Sequence, residues 1–509
     1  MPQNNGKVFL IGAGPGDVGL FTLKGAEALG RADVVIYDFL ANPKLLAMTR
    51  PDAEVIYVGK QGGQHTMAQE QINRLIVDKA AAGLMVARLK GGDPFIFGRG
   101  GEEAEELVAA GLEFEVIPGV TSAISVPAYA GIPLTHRRYA SSVAIITGHE
   151  DPTKDQTSIN WAGLATGVDT LVFLMGMGHL AEIAAKLIEN GRTPGTPVAL
   201  IRRGTSPSQQ TVTGTLSDIA ARAEDAGLKP PAIIGVGEVV KLRESLTWYE
   251  KLPLFGRRIV VTRSREQASS FVAGLNLAGA DCIEFPTISI GPPDDWALAD
   301  KAIGLIENYD WIVFTSVNGV FRFFDRLAEQ GRDVRDLKGI KLCAIGPATA
   351  AELTKMRLKP DVVPPEYRAE AVVTALKSYP LAGSRILIPR ALEAREVLPE
   401  ELSAAGAQVT VVPVYQTVKP SRDTSDEMKK RLLAGEVDMV TFTSSSTVTN
   451  FVDCFDPRDW PTLMTGVTVA AIGPITAKTA AKHGLIVRIS PLDYTIPALI
   501  KAIIEHYSR

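Results

Sequence analysis

The densest run of chemistry-bearing residues is Arg88-Leu-Lys-Gly-Gly-Asp-Pro-Phe-Ile-Phe-Gly-Arg-Gly-Gly-Glu-Glu103. Leu84, Val86 and Leu89 lead into it as a buried strand. The pair Gly91-Gly92 then lets backbone N–H and C=O groups approach a ligand that a Cβ would hold away. Asp93 falls at the strand's carboxyl end, where open α/β sheets bind their ligands. Taken alone, such a motif is equally a tight turn whose aspartate caps the next helix.

A second glycine loop sits near the start. Lys7-Val-Phe-Leu-Ile11 reads as a strand, Gly12-Ala-Gly-Pro-Gly-Asp17 as a loop, and Leu20, Leu23, Ala26 and Leu29 as one helix face. Strand, glycine loop and helix is the context of a nucleotide site. The dinucleotide pattern is missing, however: Pro15 removes a backbone donor and Gly19 is off the expected spacing. No lysine follows in P-loop register. A glycine loop without phosphate chemistry suits a nucleoside ligand lacking phosphates, such as S-adenosylmethionine.

These segments, with Ala32-Asp-Val-Val-Ile-Tyr-Asp38, Val58-Gly-Lys60, Pro118-Gly-Val-Thr-Ser-Ala123, Ala130 to His136, Thr147-Gly-His149, Leu174-Met-Gly176 and Gly204-Thr-Ser206, resemble the uroporphyrinogen-III C-methyltransferases in order and spacing. The resemblance runs to about Trp248. It implies S-adenosylmethionine as methyl donor, contacted by Pro15, Gly91, Gly92, Asp93, Ile96, Thr121, Ser122, Met175 and Gly204. It also implies acid–base roles for Asp38 and Lys60, and a homodimer formed through this module. Gln61 stands where many relatives carry arginine. Arg99, with Arg88, Lys90, Arg137 and Arg138, is expected to meet the carboxylates of the substrate.

Composition is compatible with an enzyme of several domains. The 509 residues exceed a single-domain length, and the net charge of −4 disfavours a nucleic-acid partner. Cys282, Cys343 and Cys454 are too scattered for a disulfide framework or a thiolate metal site. No apolar run suits a membrane span, and Gly12 interrupts the first apolar stretch, so a cytoplasmic protein is expected. His65, His136 and His149 show no metal-ligand spacing.

The remainder carries an internal repeat. Arg263 matches Arg390, and Ile345-Gly-Pro-Ala-Thr-Ala350 matches Ile472-Gly-Pro-Ile-Thr-Ala477, both at an offset of 127 (390 − 263; 472 − 345). Phe314-Thr-Ser316 matches Phe442-Thr-Ser444 with one residue of slippage. Two similar α/β units are therefore expected, with Thr315-Ser316 and Thr443-Ser444 opening helices whose N–H groups suit carboxylates. For any single serine, plain capping is the simpler reading.

With Val414-Tyr-Gln-Thr417 and Thr476, this half is similar to uroporphyrinogen-III synthase. That resemblance implies interleaved domains, one of about 257–285 plus 414–509 and another of about 286–413, after a methyltransferase module of 1–248 and a connector of 249–256. It implies closure of hydroxymethylbilane with loss of water and inversion of the last ring. Tyr415 would assist hydroxyl departure, and Thr315, Ser316, Thr443, Ser444 and Thr476 would hold the substrate. The expected whole is an α/β chain that makes uroporphyrinogen III and methylates it twice to precorrin-2, without metal. The alternatives are a later corrin-pathway methylase with a degenerate synthase half, and a non-catalytic ligand sensor.

Overall fold

The computed structural model describes residues 6–59, 67–149, 158–263, 265–366, 368–394 and 396–508. The chain forms two units, one of Met1–Arg257 with Leu275–Asp281 and Tyr507–Arg509, the other of Arg258–Gly274 with Cys282–His506.

In the first unit, strands β1 (Lys7–Gly12), β2 (Val34–Tyr37), β3 (Glu54–Tyr57), β4 (Val86–Lys90) and β5 (Glu113–Ile117) form a sheet of order β3-β2-β4-β1-β5. Its pairs are all parallel. Short apolar strands separated by helices give such a sheet because both faces are covered. In β4 the two-residue alternation sends Ala87 and Leu89 into one core and Val86 into the other. Arg88 and Lys90 follow Val86 on its face, beneath the helices Gln69–Ala81 and Gly100–Ala109, whose Ile72, Ile76, Ala104 and Leu107 share that core.

A second sheet holds β6 (Val143–Thr147), β7 (Thr170–Leu174), β8 (Pro197–Arg202), β9 (Gln210–Thr215) and β10 (Ala232–Val236) in the order β6-β7-β10-β8-β9. Only the β6–β7 pair is parallel. The segment expected to be a connector belongs to this unit. Tyr249 is buried and meets Tyr129 edge-on at 4.8 Å, while Glu250 pairs with Arg243 and accepts from Gln209 and Thr211.

The second unit contains two more sheets. One comprises β11 (Arg258–Val261), β12 (Asp281–Glu284), β18 (Met439–Phe442), β19 (Thr468–Ala471) and β20 (Val487–Ile489), in the order β12-β11-β18-β19-β20. The other comprises β13 (Ser289–Gly291), β14 (Trp311–Phe314), β15 (Lys341–Ala344), β16 (Arg385–Ala391) and β17 (Gln408–Val418), in the order β13-β17-β16-β14-β15. The sequence repeat is visible here as topology: β17-β16-β14-β15 lines up with β12-β11-β18-β19. Even the edge contacts correspond, since Val362 bridges to Cys343 as Ile489 pairs with Ala470, 127 residues on (489 − 362). The expected return at 414 falls inside β17, which stays in its sheet to Val418 through antiparallel pairing with β13. The chain therefore leaves this sheet after Val418, because β13 supplies a partner that holds Gln416 to Val418 in place.

Three glycines fix the carboxyl edge of the first sheet. A Cβ on Gly12 would lie 2.4 Å from the Gly119 nitrogen and 2.7 Å from the Gly92 oxygen. Gly14 and Gly92 exchange N–H···O bonds of 3.1 and 2.8 Å across the same junction. Gly119→Ala is expected to cost about 1–3 kcal/mol, since backbone rather than a yielding side chain opposes the added methyl. Chemical denaturation followed by a first-unit probe would measure it, and an unchanged midpoint would contradict the constraint.

Candidate active sites

The loops that follow β1, β4 and β5 meet at the three-glycine junction, and we call the strip of backbone between them the glycine trench. Gly92 adopts φ +69°, and Thr121 and Ser122 lie beside it, the Ser122 nitrogen 3.8 Å from where a Cβ would stand. Thr121 caps the helix Ser122–Tyr129, its Oγ1 accepting from the Ala123 N–H at 3.3 Å. Asp93 is used twice by the backbone: Oδ1 accepts from the Phe95 N–H at 2.8 Å and Oδ2 from the Gly119 N–H at 3.0 Å. The aspartate thus latches the loop after β5 onto the loop after β4.

Pro15 and Gly16 form the opposite lip. The Asp17 N–H donates to Thr205 Oγ1 at 3.2 Å, Asn42 Nδ2 donates to the Gly16 carbonyl at 2.7 Å, and Tyr129 donates to Asp17 Oδ2 at 2.8 Å. Gly204 is required because a Cβ there would lie 2.4 Å from Val126 Cγ1. The loops expected to hold one ligand are therefore brought together, from both sheets of the unit.

Beyond the trench lies a cavity of about 1240 Å³ bordered by Phe95, Phe97, Arg99, Ile145, His149 and Met175. Ile96, Phe97 and Met175 are exposed. Five of the six non-glycine residues with positive φ among the described residues, namely Phe97, Arg99, Met175, Arg203 and Thr205, fall in these loops. Backbone strain concentrated this way is characteristic of a site held open by its surroundings. Arg99 is exposed and donates through Nε and NH2 to the two carboxylate oxygens of Glu102, at 2.9 and 2.6 Å.

Asp38 follows β2. Its Oδ1 accepts from the Leu40 N–H at 3.1 Å and its Oδ2 from Arg88 NH2 at 3.0 Å. The turn it starts abuts the trench, since a Cβ on Gly91 would lie 2.4 Å from Leu40 Cβ. Lys60, Gln61 and His65 lie outside the described residues.

Arg88 and Lys90 correct an expectation. They are 2% and 3% exposed, which removes them as contacts for a soluble polycarboxylate. Lys90 donates to Glu103 Oε1 at 2.6 Å, and Arg88 Nε approaches the same oxygen at 3.2 Å. Burial and then the neighbouring Arg88 charge push the Lys90 ammonium below its usual pKa, with Glu103 acting against them. Glu103 is the residue that sequence reasoning passed over. Two cations two apart on a buried strand require an acid nearby, and that requirement was the available signal.

In the second unit Ser316 Oγ accepts from the Gly319 N–H at 2.9 Å and lies 3.0 Å from the Tyr415 hydroxyl. A bulge makes this possible: Arg390 pairs with Pro413 but Ala391 with Tyr415, so Val414 is extra. Val414 and Tyr415 are consequently both buried, where strict alternation would send one of them out. In the equivalent half, Ser444 Oγ caps Thr447 N–H at 3.2 Å and Thr443 precedes it. Thr315 precedes Ser316 in the same way. Thr476 is only 5% exposed, inside the helix Pro474–Lys482, as Thr349 is inside Pro347–Lys355 at 3%. Gly346 and Gly473 precede these two helices and give them no side-chain cap.

Two family models match separate parts of the chain. Residues 7–220 match the model of the tetrapyrrole (corrin/porphyrin) methylases, and residues 269–501 match that of uroporphyrinogen-III synthase. A porphyrin biosynthesis protein of Ruminiclostridium josui is 38% identical over 99% of this chain and 98% of its own length. An S-adenosyl-L-methionine-dependent uroporphyrinogen III methyltransferase of Methanosarcina barkeri is 53% identical over 48% of this chain and 96% of its own. A uroporphyrin-III C-methyltransferase from Thermus thermophilus, solved with S-adenosylhomocysteine, is 40% identical, with a TM-score of 0.40, over 47% of this chain and 100% of its own. The chain belongs to the family of tetrapyrrole-biosynthesis proteins that join a tetrapyrrole methylase to a uroporphyrinogen-III synthase.

Asp93→Ala leaves two backbone N–H groups without their acceptor and is expected to cost about 1–3 kcal/mol. Asp93→Asn, which keeps one acceptor oxygen, should lose less. Equal melting of the two variants and the parent would rule out the latch.

Proposed function

We propose that the chain converts hydroxymethylbilane to uroporphyrinogen III and then methylates that product twice with S-adenosylmethionine to give precorrin-2. The observation that carries this reading is the coincidence of both family matches on one chain, with one relative similar along its whole length. The order of the two reactions follows from their chemistry, since the first makes the acceptor that the second consumes.

In the methylase unit the glycine trench suits a nucleoside: Gly16 and Gly92 adopt positive φ and carry no side chain that would hold a ligand away from the backbone. Bound S-adenosylmethionine supplies an electrophilic methyl on sulfonium. Thr121, Ser122, Gly204, Ile96 and Met175 would contact it. Transfer is an in-line displacement that depends on alignment more than on a strong base. The methylated pyrrole carbon becomes quaternary and has no hydrogen of its own to lose. The charge brought in with the methyl must therefore be discharged by loss of a proton from another position of the macrocycle, the task we assign to Asp38 with Lys60. Arg99 would meet an acceptor carboxylate by exchanging its Glu102 partner.

In the synthase unit, Tyr415 would donate to the departing hydroxyl of the bilane. Ser316 takes the Gly319 N–H on its oxygen, so its own proton is available to the phenol oxygen and the phenolic proton to a ligand. Thr315, Thr443 and Ser444, with the helix starts at Gly346 and Gly473, would receive carboxylates. Thr476, being buried, would act by packing its helix rather than by contact.

We also read the methylase unit as the dimerising part of a cytoplasmic homodimer. Three unbridged cysteines accord with a reducing compartment. Among the described residues no helix is long and apolar enough to cross a membrane. Light scattering of the intact chain and of a methylase-only chain tests the dimer.

The pure chain, given hydroxymethylbilane alone, is expected to release uroporphyrinogen III, and with S-adenosylmethionine a doubly methylated product. Type I isomer alone would refute the synthase half, and an unmethylated product the methylase half. Tyr415→Phe should slow ring closure on the order of 10²–10⁴-fold while leaving methylation of supplied uroporphyrinogen III intact. A Tyr415→Phe chain with the parental closure rate would dismiss the phenol as an acid.

A further inference from the structure

The buried charges behind Asp38 form one connected group. Glu103 Oε1 receives Arg88 Nε at 3.2 Å, Lys90 Nζ at 2.6 Å and Gln69 Nε2 at 3.0 Å. Its Oε2 is buried with no partner among the described residues. Arg88 uses the rest of its fork on the Leu89 carbonyl at 3.1 Å, the Ile36 carbonyl at 3.5 Å and Asp38 Oδ2 at 3.0 Å. Two cations therefore face two carboxylates, and the group is neutral overall.

Such a group is a poor way to stabilise a core, because well-packed apolar side chains at the same positions usually do as well or better. Its geometry suits another purpose. The side chains of Glu103, Arg88 and Lys90 are 0%, 3% and 4% exposed, whereas that of Asp38 is 27% exposed. Asp38 is the one member of the four that a ligand can reach. The guanidinium that holds it is planar and tied along its Nε edge to Glu103, so its direction is inherited from the helix Gly100–Ala109. That same helix begins at the cavity rim, at Gly100 and Gly101.

We propose that Glu103 is a positioning residue for methyl transfer: it fixes Arg88, and Arg88 fixes the Asp38 carboxylate at the edge of the glycine trench. This rests on the acid–base reading of Asp38. Arg88 and Lys90 are then internal supports, and the polycarboxylate acceptor finds its cations elsewhere.

The test uses the full chain, supplied with uroporphyrinogen III and S-adenosylmethionine, with kcat expressed per S-adenosylhomocysteine site titrated by calorimetry. Glu103→Gln removes the charge and keeps the shape, while Arg88→Lys keeps the charge and removes the fork. Each is expected to lower kcat on the order of 10–100-fold, as small misplacements of a reacting group do. KM for S-adenosylmethionine should stay within about twofold of the parent, since the trench is untouched. In an Asp38→Asn background, Glu103→Gln should cause no further loss, because the group it positions is already gone.

A purely structural role would lower the number of titrated sites and leave kcat per site unchanged. That result, or losses that multiply in the double variant, overturns the proposal. If Asp38→Asn alone keeps the parental kcat, the acid–base reading falls and takes the proposal with it. An inactive Asp38→Asn beside a fully active Glu103→Gln defeats the positioning claim only. Should Glu103→Gln bind no S-adenosylhomocysteine, Arg88→Lys, alone and combined with Asp38→Asn, decides the question.

Discussion

The contact of three strand ends at Gly12, Gly92 and Gly119 is the constraint on which the first unit's site depends. A Cβ on Gly119 would lie 2.3 Å from the Gly92 oxygen, so the backbones meet where side chains normally keep strands apart. The hydrogen bonds between Gly14 and Gly92, and the Asp93 latch to Gly119, hold loops from β1, β4 and β5 at one edge. Every other feature of the trench, from the Thr121 cap to the Pro15 lip, is placed relative to that edge. A parallel sheet makes this economical, because all its strands deliver their carboxyl ends to the same side.

Charge is handled differently at the two levels of this site. At the rim, Arg99 pairs with Glu102 in the open, where the pair is exchangeable and worth little in stability. Below it, Arg88, Lys90, Glu103 and Asp38 are committed to one another where rearrangement would strand a buried charge. The rim pair can separate without stranding a buried charge, whereas the group below it cannot. The separation follows from register: Arg88 and Lys90 occupy the inward row of β4, whereas Arg99 enters the next helix in a left-handed conformation that keeps it outside.

The second unit reaches its site by repetition with local exceptions. Ser316 and Ser444 cap equivalent helices, and Gly346 and Gly473 open equivalent ones. What distinguishes the halves is the Val414 bulge, which turns Tyr415 toward Ser316, and the antiparallel β13, which lengthens β17. A duplicated sheet supplies two equivalent sets of helix starts, and one inserted residue makes them unequal.

The sequence by itself determined the larger facts. Glycine loops after apolar strands marked the trench because few other residues permit such close backbone approach. The offset of 127, visible between Arg263 and Arg390, became two sheets of the same strand order because local hydrophobic pattern decides which segments are strands. Tertiary structure alone decided what depends on distant partners. Asp93 became a latch because Gly119 comes within reach of its second oxygen, 26 positions along the chain. Arg88 and Lys90 turned inward because β4 is central in its sheet and helices cover its face. Thr476 was buried by helix packing, and the segment at Tyr249 was drawn onto Tyr129 by an aromatic contact. Strand pattern is a local property, whereas the partner of a buried charge is set by packing between segments that the sequence keeps apart.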